Sequence, residues 1–338
     1  MEIQSLKSEI KLPVITAGQI LSWQPRKEAR PFIPKEWRGT LLDVLECDPP
    51  EFEGLSRYDW LLWVALRNDC FPSDELAWKV LRLFACDCAE RALKKYGCNE
   101  ADKRSIRAVE VSRKYARDQL PITALAAAYT EAKAACAETR AAVESAAVEA
   151  ESRRNIQSAY ASVDPVDYSG MDAYAAARYA VRAYMDPMVA DNAVVDVYSS
   201  TRILVRAYSA EAARAACNAV ADAQTAARAS AYAARADFHV SIYTAARVTA
   251  MDAAEAAIKD AAEKKYASVL ASDDPIAVAH ITDNAAILAA AEEAYTSAYV
   301  PAYSATRAFF DAAERRWQIT RLKKLIECEL TDKTSGKS

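Results

Sequence analysis

The cations in the middle of this sequence are arginines. No lysine occurs between Lys133 and Lys259, whereas arginine recurs throughout. Within residues 171–252 the basic positions are Arg178, Arg182, Arg202, Arg206, Arg214, Arg228, Arg235 and Arg247. Arginine is preferred where a cation is partly buried or must fork onto a carboxylate or a phosphate. Two of these pairs, 178 with 182 and 202 with 206, are one helical turn apart, and their mutual repulsion favours a nearby anion.

Tyrosines accompany these arginines, and their rings can stack on bases or on guanidinium planes. The candidate ligand-binding residues are therefore Tyr174, Arg178, Arg182, Arg202, Arg206, Tyr208, Arg228, Tyr232, Arg235, His239, Tyr243 and Arg247. One interpretation is a network of interhelical Arg–Asp and Tyr–Asp hydrogen bonds. The other is a cleft that captures a phosphate-bearing small molecule, such as a nucleotide signal.

Other chemistry has little support in the sequence. On a helix, Cys86 and Cys88 point about 200° apart, so they cannot share one zinc ion. His239 and His280 lack partners at metal-ligand spacing, and we expect neither a metal nor a cofactor. No Gly-rich phosphate loop or Gly-x-Ser-x-Gly elbow occurs, which favours a non-catalytic protein. An enzyme would need a carboxylate or His239 beside an anion pocket.

The elements that must position these residues are helices. Long Ala-rich runs contain few of the 6 glycines, and alanine is the strongest helix former. We therefore predict an all-α fold: an irregular N-terminal arm, then a multi-helix bundle or stacked helical hairpins. The long Ala-rich helices lie in the second half, where alanine faces let helix axes approach closely.

Proline and glycine suggest the domain boundaries. Residues 1–56 contain six prolines and form the predicted arm, whose Trp23 and Trp37 indicate that it packs on something. A helical domain over 57–160 follows, with helices at about 74–96, 100–120 and 121–160. An Ala/Arg/Tyr-rich helical domain over 161–330 and a disordered tail over 331–338 complete the chain.

The second half contains a long stretch without helix breakers. Residues 188–271 have neither glycine nor proline, so at least one turn there lacks its usual residues. We predict turns near 208–210 and 237–239, and a break at Val300-Pro301.

Charge and hydropathy restrict partners and location. The formal net charge of −4 argues against a general duplex-DNA binder. No run reaches the roughly 18 apolar residues that span a bilayer. Eight scattered cysteines and no cationic leader favour a cytoplasmic protein of a bacterium or of an infected host cell.

Three short motifs carry a resemblance: Asp59-Trp60-Leu61-Leu62-Trp63, then 86–93 (CDCAERAL), then Asp102-Lys103-Arg104 with Ile106, Ala108 and Val109. In this order they resemble a family of immunity proteins found beside bacterial polymorphic toxins and in phage genomes. The likeness covers about residues 57–160. It implies binding and neutralising another macromolecule in a conflict between bacteria, or between bacterium and phage, and it implies no functional residues.

We therefore expect one of three functions. The first is an immunity-type inhibitor of a protein toxin or defence effector, which binds through the arm and first helices around Trp23, Trp37, Trp60 and Trp63. The second is a protein that sequesters an anionic, nucleotide-like molecule among the arginines and tyrosines, in a pocket that a second subunit of a homo-oligomer could complete. The third is an unrecognised enzyme with a perturbed acid or base.

Overall fold

The computed structural model describes residues 11–25, 27, 30–47, 57–96, 102–161, 191–218, 222–270 and 285–335. Helices dominate these ranges, which confirms the predicted all-α class. In the same ranges the only strands are β1 (Ile15–Thr16) and β2 (Arg38–Gly39), which pair antiparallel with Ile15 opposite Gly39.

Ten α-helices lie in the described part of the chain. They are α1 (Ala17–Ser22), α2 (Leu41–Glu46), α3 (Arg57–Ala65), α4 (Asp74–Tyr96), α5 (Lys103–Tyr115), α6 (Ile122–Ala161), α7 (Asp191–Ala216), α8 (Ala223–Asp237), α9 (His239–Leu270) and α10 (Ala285–Ser335). Short 3-10 turns occupy Arg30–Phe32 and Asn68–Cys70. The predicted helices at 74–96 and 121–160 and the predicted turn at 237–239 are confirmed, and α5 is shorter than expected at both ends.

One turn in the breaker-free stretch was predicted in the wrong place. Helix α7 passes through residues 208–210 without interruption, and Ser209 is buried there. Helix α7 ends instead at Ala216, and α8 begins at Ala223, where the Asp222 carboxylate accepts a hydrogen bond from the Thr225 backbone N–H at 2.9 Å. An N-cap of this kind starts a helix without glycine or proline.

The predicted break at Val300-Pro301 is also wrong, because α10 continues through Pro301. Proline removes one backbone hydrogen bond and crowds the preceding turn. Alanine recurs on both sides of Pro301, at 294, 298, 302, 305 and 308, and this strong helix former helps to carry the helix across the defect. The same helix extends to Ser335 and so includes most of the segment expected to be a tail.

The N-terminal arm is more regular than its prolines suggest. Thr16 with Gln19 forms a capping box at α1, and Thr40 with Asp43 forms another at α2. Both short helices bury apolar side chains, among them Ile20. The arm packs on the helical core, as its aromatic residues indicated.

The described residues form two compact units. Unit 1 comprises Met1–Ala141, Leu204–Asp237 and Phe310–Ser338, and unit 2 comprises Ala142–Ile203 and Phe238–Phe309. Unit 1 thus combines segments from both sides of the boundary predicted near residue 160. In unit 2, Ala254 and Ile258 of α9 pack with Ala291 of α10.

Helix α4 is the centre of unit 1. Every residue from Val80 to Ala89 is buried, so the helix is covered on all sides rather than along one stripe. Helix α8 packs on it with a face made almost entirely of alanine, from Ala223 to Ala236. This confirms that alanine faces bring the helices of this chain close together.

A fully buried arginine joins three helices of unit 1. Arg82 of α4 is 0% exposed, and its Nη1 donates to the Ala216 carbonyl of α7 at 3.2 Å and to Ser112 Oγ of α5 at 3.4 Å. Its guanidinium lies 4.7 Å from the Trp78 ring and 5.2 Å from the Tyr115 ring. Because Ala216 ends α7, the cation also lies at the negative end of a helix dipole.

Candidate functional site

Three of the four predicted partner-surface tryptophans come together in unit 1. The Trp60 and Trp63 rings of α3 stack with centroids 5.2 Å apart, and Trp23, which caps α1, meets Trp63 edge-on at 6.4 Å. The Arg67 guanidinium lies 4.5 Å from the Trp63 ring centroid. All four side chains are half-buried. We call Trp23, Trp60, Trp63 and Arg67 the tryptophan surface.

Local contacts hold this surface in place. The Trp23 indole N–H donates to Asp69 Oδ2 at 3.1 Å, which ties the arm to the turn after α3. Leu61, Leu62 and Val64 on the other side of α3 are buried in the core. The indoles are therefore fixed by packing on one side and reach solvent on the other.

Helix α3 is also attached to α10. Arg315 makes an ion pair with Asp59 at 2.7 Å, and Arg316 donates to the Tyr58 hydroxyl at 3.1 Å. Arg315 itself is held by the Gln318 side chain at 2.9 Å and the Ala227 carbonyl at 3.3 Å. A buried polar network thus fixes the orientation of the helix that carries Trp60 and Trp63.

Trp37 lies elsewhere in the arm. Its backbone carbonyl accepts a hydrogen bond from the Ala17 N–H at 2.9 Å. A Cβ atom on Gly39 would be 3.2 Å from the Trp37 ring, so the indole covers that glycine. Trp37 therefore packs within the arm rather than beside the other three indoles.

The predicted arginine and tyrosine set is divided. Tyr174, Arg178 and Arg182 lie outside the described residues, and of His239 and Tyr243 only the helical backbone is described. The remaining members fall into different units: Arg202 and Arg247 in unit 2, and Arg206, Tyr208, Arg228, Tyr232 and Arg235 in unit 1.

Within unit 1, part of this set forms a small cluster. The Tyr208 and Tyr232 rings are 5.2 Å apart, and the Arg235 guanidinium is 5.2 Å from the Tyr232 ring. Arg235 forks onto Asp311 of α10, at 3.0 Å from Nε and 2.5 Å from Nη2. The charge of Arg235 is therefore neutralised by a carboxylate of another helix. Arg206 and Arg228, by contrast, are exposed.

The structure shows a second site that the sequence analysis missed. A charged cleft opens between α4, α5 and α10 in unit 1, as two adjoining cavities of about 500 and 670 Å³. Its cations are Arg91, Lys94, Arg113, Arg117, Arg321 and Lys324, and its carboxylates are Asp87, Glu90 and Glu329. Cations therefore exceed carboxylates in its lining by three.

Asp87 organises this cleft although it is almost fully buried. Arg113 Nη2 donates to its Oδ1 at 2.8 Å, and Arg321 Nε donates to its Oδ2 at 2.7 Å. Glu90 bridges Arg113 and Lys94, at 2.6 and 2.8 Å. The hydrogen bond from Lys94, followed by that from Arg113, holds the pKa of Glu90 below its usual range.

One feature of the sequence could have pointed to this cleft. Asp87 is a lone carboxylate inside a run of buried apolar residues on α4, and buried carboxylates are almost always paired. Its partner Arg321 is far away in sequence, so no local pattern identifies the pair.

Most of the described thiols of unit 1 are buried, whereas Cys47 is half-buried and Cys328 is exposed. Cys86 and Cys88 are completely buried, and burial raises the pKa of Cys86 to about 11 and that of Cys217 to about 12. Thiols with such high pKa values carry little thiolate at neutral pH and are poor nucleophiles. In the described ranges, no three His, Cys, Asp or Glu side chains are grouped as a metal site requires.

No known protein family, curated protein or solved structure matches this chain. Among the described helices, none has the length and apolar character needed to cross a bilayer.

Proposed function

We propose that this chain is a non-catalytic binding protein of a bacterial or phage conflict system, and that it neutralises a protein toxin or defence effector by direct binding. The observation that carries the proposal is the tryptophan surface. Tryptophan and arginine are the residues most enriched where truncation weakens protein–protein complexes. Here three indoles and one guanidinium from two chain segments share a single surface.

The rigidity of this surface supports a binding role. Trp60 and Trp63 lie on a helix fixed by the Arg315–Asp59 ion pair, and Trp23 is fixed by Asp69. Side chains that are already ordered lose little conformational entropy when a partner covers them. The partially exposed rings still offer apolar area that water contacts in the free protein.

The resemblance over residues 57–160 supplies the biological setting of the proposal. Trp60 and Trp63 belong to the first of its three motifs. A toxin or effector would be inhibited by occlusion, so the inhibitor needs affinity and a fixed surface but no catalytic group.

A co-expression experiment tests this function. Each gene beside the one encoding this chain is expressed in a bacterium, alone and together with the chain, and growth is measured. We expect one neighbouring product to be toxic and the chain to relieve that toxicity. The Trp60→Ser, Arg67→Gln double variant should lose protection, whereas Tyr232→Ser, which changes an exposed ring elsewhere in unit 1, should retain it.

Two results would contradict the proposal. One is that no neighbouring product is toxic or relieved by the chain. The other is protection that survives in the double variant at wild-type protein levels, because the tryptophan surface would then have no part in it.

A further inference from the structure

We propose that the charged cleft of unit 1 binds a small molecule that carries two or more phosphate groups. This site is separate from the tryptophan surface and does not depend on the function proposed above. It also differs from the arginine and tyrosine set of the sequence analysis, with which it shares no residue.

Two arginines of the cleft lining, Arg91 and Arg321, are anchored in a way that leaves their terminal guanidinium nitrogens available. Arg321 is held by Asp87 through Nε at 2.7 Å, and Arg91 is held by Glu314 through Nε at 2.8 Å. Arg91 also lies 4.2 Å from the Trp317 ring, which fixes its plane. Because the anchoring bonds use Nε, the paired terminal nitrogens remain to donate to phosphate oxygens in the bidentate geometry that guanidinium favours.

The cleft also carries positive charge that its carboxylates do not neutralise. Among the described residues, Arg117 and Lys324 have no ion-pair partner, and both line the larger cavity. They lie beside Arg113 and Arg321, which share Asp87. Over both cavities the lining carries six cations and three carboxylates, Asp87, Glu90 and Glu329, and this excess gives a positive potential that a bound polyanion would neutralise.

The volume of the cleft suits a small molecule. The two cavities, of about 500 and 670 Å³, adjoin at Asp87, Glu90 and Arg321. Small-molecule sites usually have volumes of about 300 to 1,000 Å³. A linear polyphosphate, or a nucleotide with its phosphate groups near Arg321, would contact cations on both sides of that residue.

Isothermal titration calorimetry with inorganic tripolyphosphate at 0.15 M salt tests the site. We expect binding at one site per chain. Arg117→Gln with Lys324→Gln should weaken it by about tenfold or more, because each charge-assisted hydrogen bond contributes enough free energy for about that factor. Neither side chain makes an ion pair within the described residues, so the variant should fold normally.

Two comparisons make the test specific. Lys103→Gln with Lys133→Gln removes the same charge from exposed positions on α5 and α6, outside the cleft lining, and should change the affinity less than twofold. Arg321→Lys keeps the charge but removes the fork, and it should weaken binding at least fivefold.

The proposal is overturned if tripolyphosphate does not bind at millimolar concentration, or if the control double variant weakens binding as much as the cleft variant. It is also overturned if the cleft variant loses a protein partner while the wild-type chain binds no tripolyphosphate. In that case the cleft contacts an acidic protein surface instead.

Discussion

Truncating the buried Arg82 should lower the free energy of unfolding of unit 1 far more than replacing it with a side chain of similar length. Arg82→Ala removes the hydrogen bonds that the guanidinium donates to the Ala216 carbonyl and to Ser112 Oγ. Hydrogen bonds to charged groups contribute about 1.5–3 kcal/mol, and the cavity left beside Trp78 and Tyr115 adds to the loss. We expect unit 1 to lose about 3–5 kcal/mol of its free energy of unfolding.

Arg82→Met separates packing from charge. Methionine fills most of the same space, and burial already lowers the pKa of Arg82 because the charged form is poorly solvated there. Ser112 Oγ still donates to the Ala216 carbonyl at 2.6 Å, so that acceptor keeps a partner. Since apolar replacement of a buried ion is often close to neutral, we expect a loss of about 0–2 kcal/mol.

Urea denaturation followed by tryptophan fluorescence measures both variants. All 6 tryptophans lie in unit 1, so their emission reports the unfolding of that unit. Arg117→Met, at an exposed position, is the matched control and should change stability by less than about 0.5 kcal/mol. Equal losses for Arg82→Ala and Arg82→Met, or a loss under about 1 kcal/mol for both, would refute this account of how α4, α5 and α7 are joined.

Three further predictions concern backbone and pH. Pro301→Ala restores a backbone N–H inside α10 and should stabilise the helix by up to about 3 kcal/mol, seen as a higher Tm by circular dichroism; an unchanged Tm would contradict it. Gly39→Ala places a Cβ 2.9 Å from Asp43 Cβ and 3.2 Å from the Trp37 ring, and should speed proteolysis within the arm, whereas Gly18→Ala, whose nearest contact is 3.8 Å, should not. Hydrogen bonds from Thr40 lower the pKa of Asp43, and those from Arg104 lower the pKa of Asp102. The stability that these two carboxylates contribute is therefore fully present above the ordinary carboxyl pKa of about 4, and it is lost as the pH falls through their lowered pKa values. Urea midpoints that stay constant from pH 5 to about pH 2 would disprove this.

The helical class could be predicted from the sequence, because abundant alanine and few glycines favour helix through the local preference of each residue. Helix α4 ends where the sequence suggests, and Pro121 precedes α6. The turn predicted near 208–210 is wrong because a cap and a long-range contact, rather than the helix-breaking residues, decide where α7 ends and α8 begins. Helix α8 begins at the Asp222 cap, and the last carbonyl of α7 accepts a hydrogen bond from Arg82 of α4. Neither Asp222 nor Arg82 is a glycine or a proline.

The candidate sites show the same contrast. Trp60 and Trp63 are neighbours on one helix, so their pairing could be predicted, and Trp23 joins them only because the arm folds back onto α3. The charged cleft could not be predicted, because Asp87 and Arg321 meet through the packing of α10 on α4. The arginines of the second half remain a predicted set whose members lie partly outside the described residues.

Native mass spectrometry of the chain purified from the cells that naturally make it tests the central claim most directly. The account predicts a stoichiometric polypeptide bound to the wild-type chain and absent from the Trp60→Ser, Arg67→Gln variant. That variant should stay folded, with a free energy of unfolding in urea reduced by about 1–3 kcal/mol, because both side chains are only half-buried. A chain that carries no polypeptide, or a variant that keeps the same partner at the same stoichiometry, would contradict it.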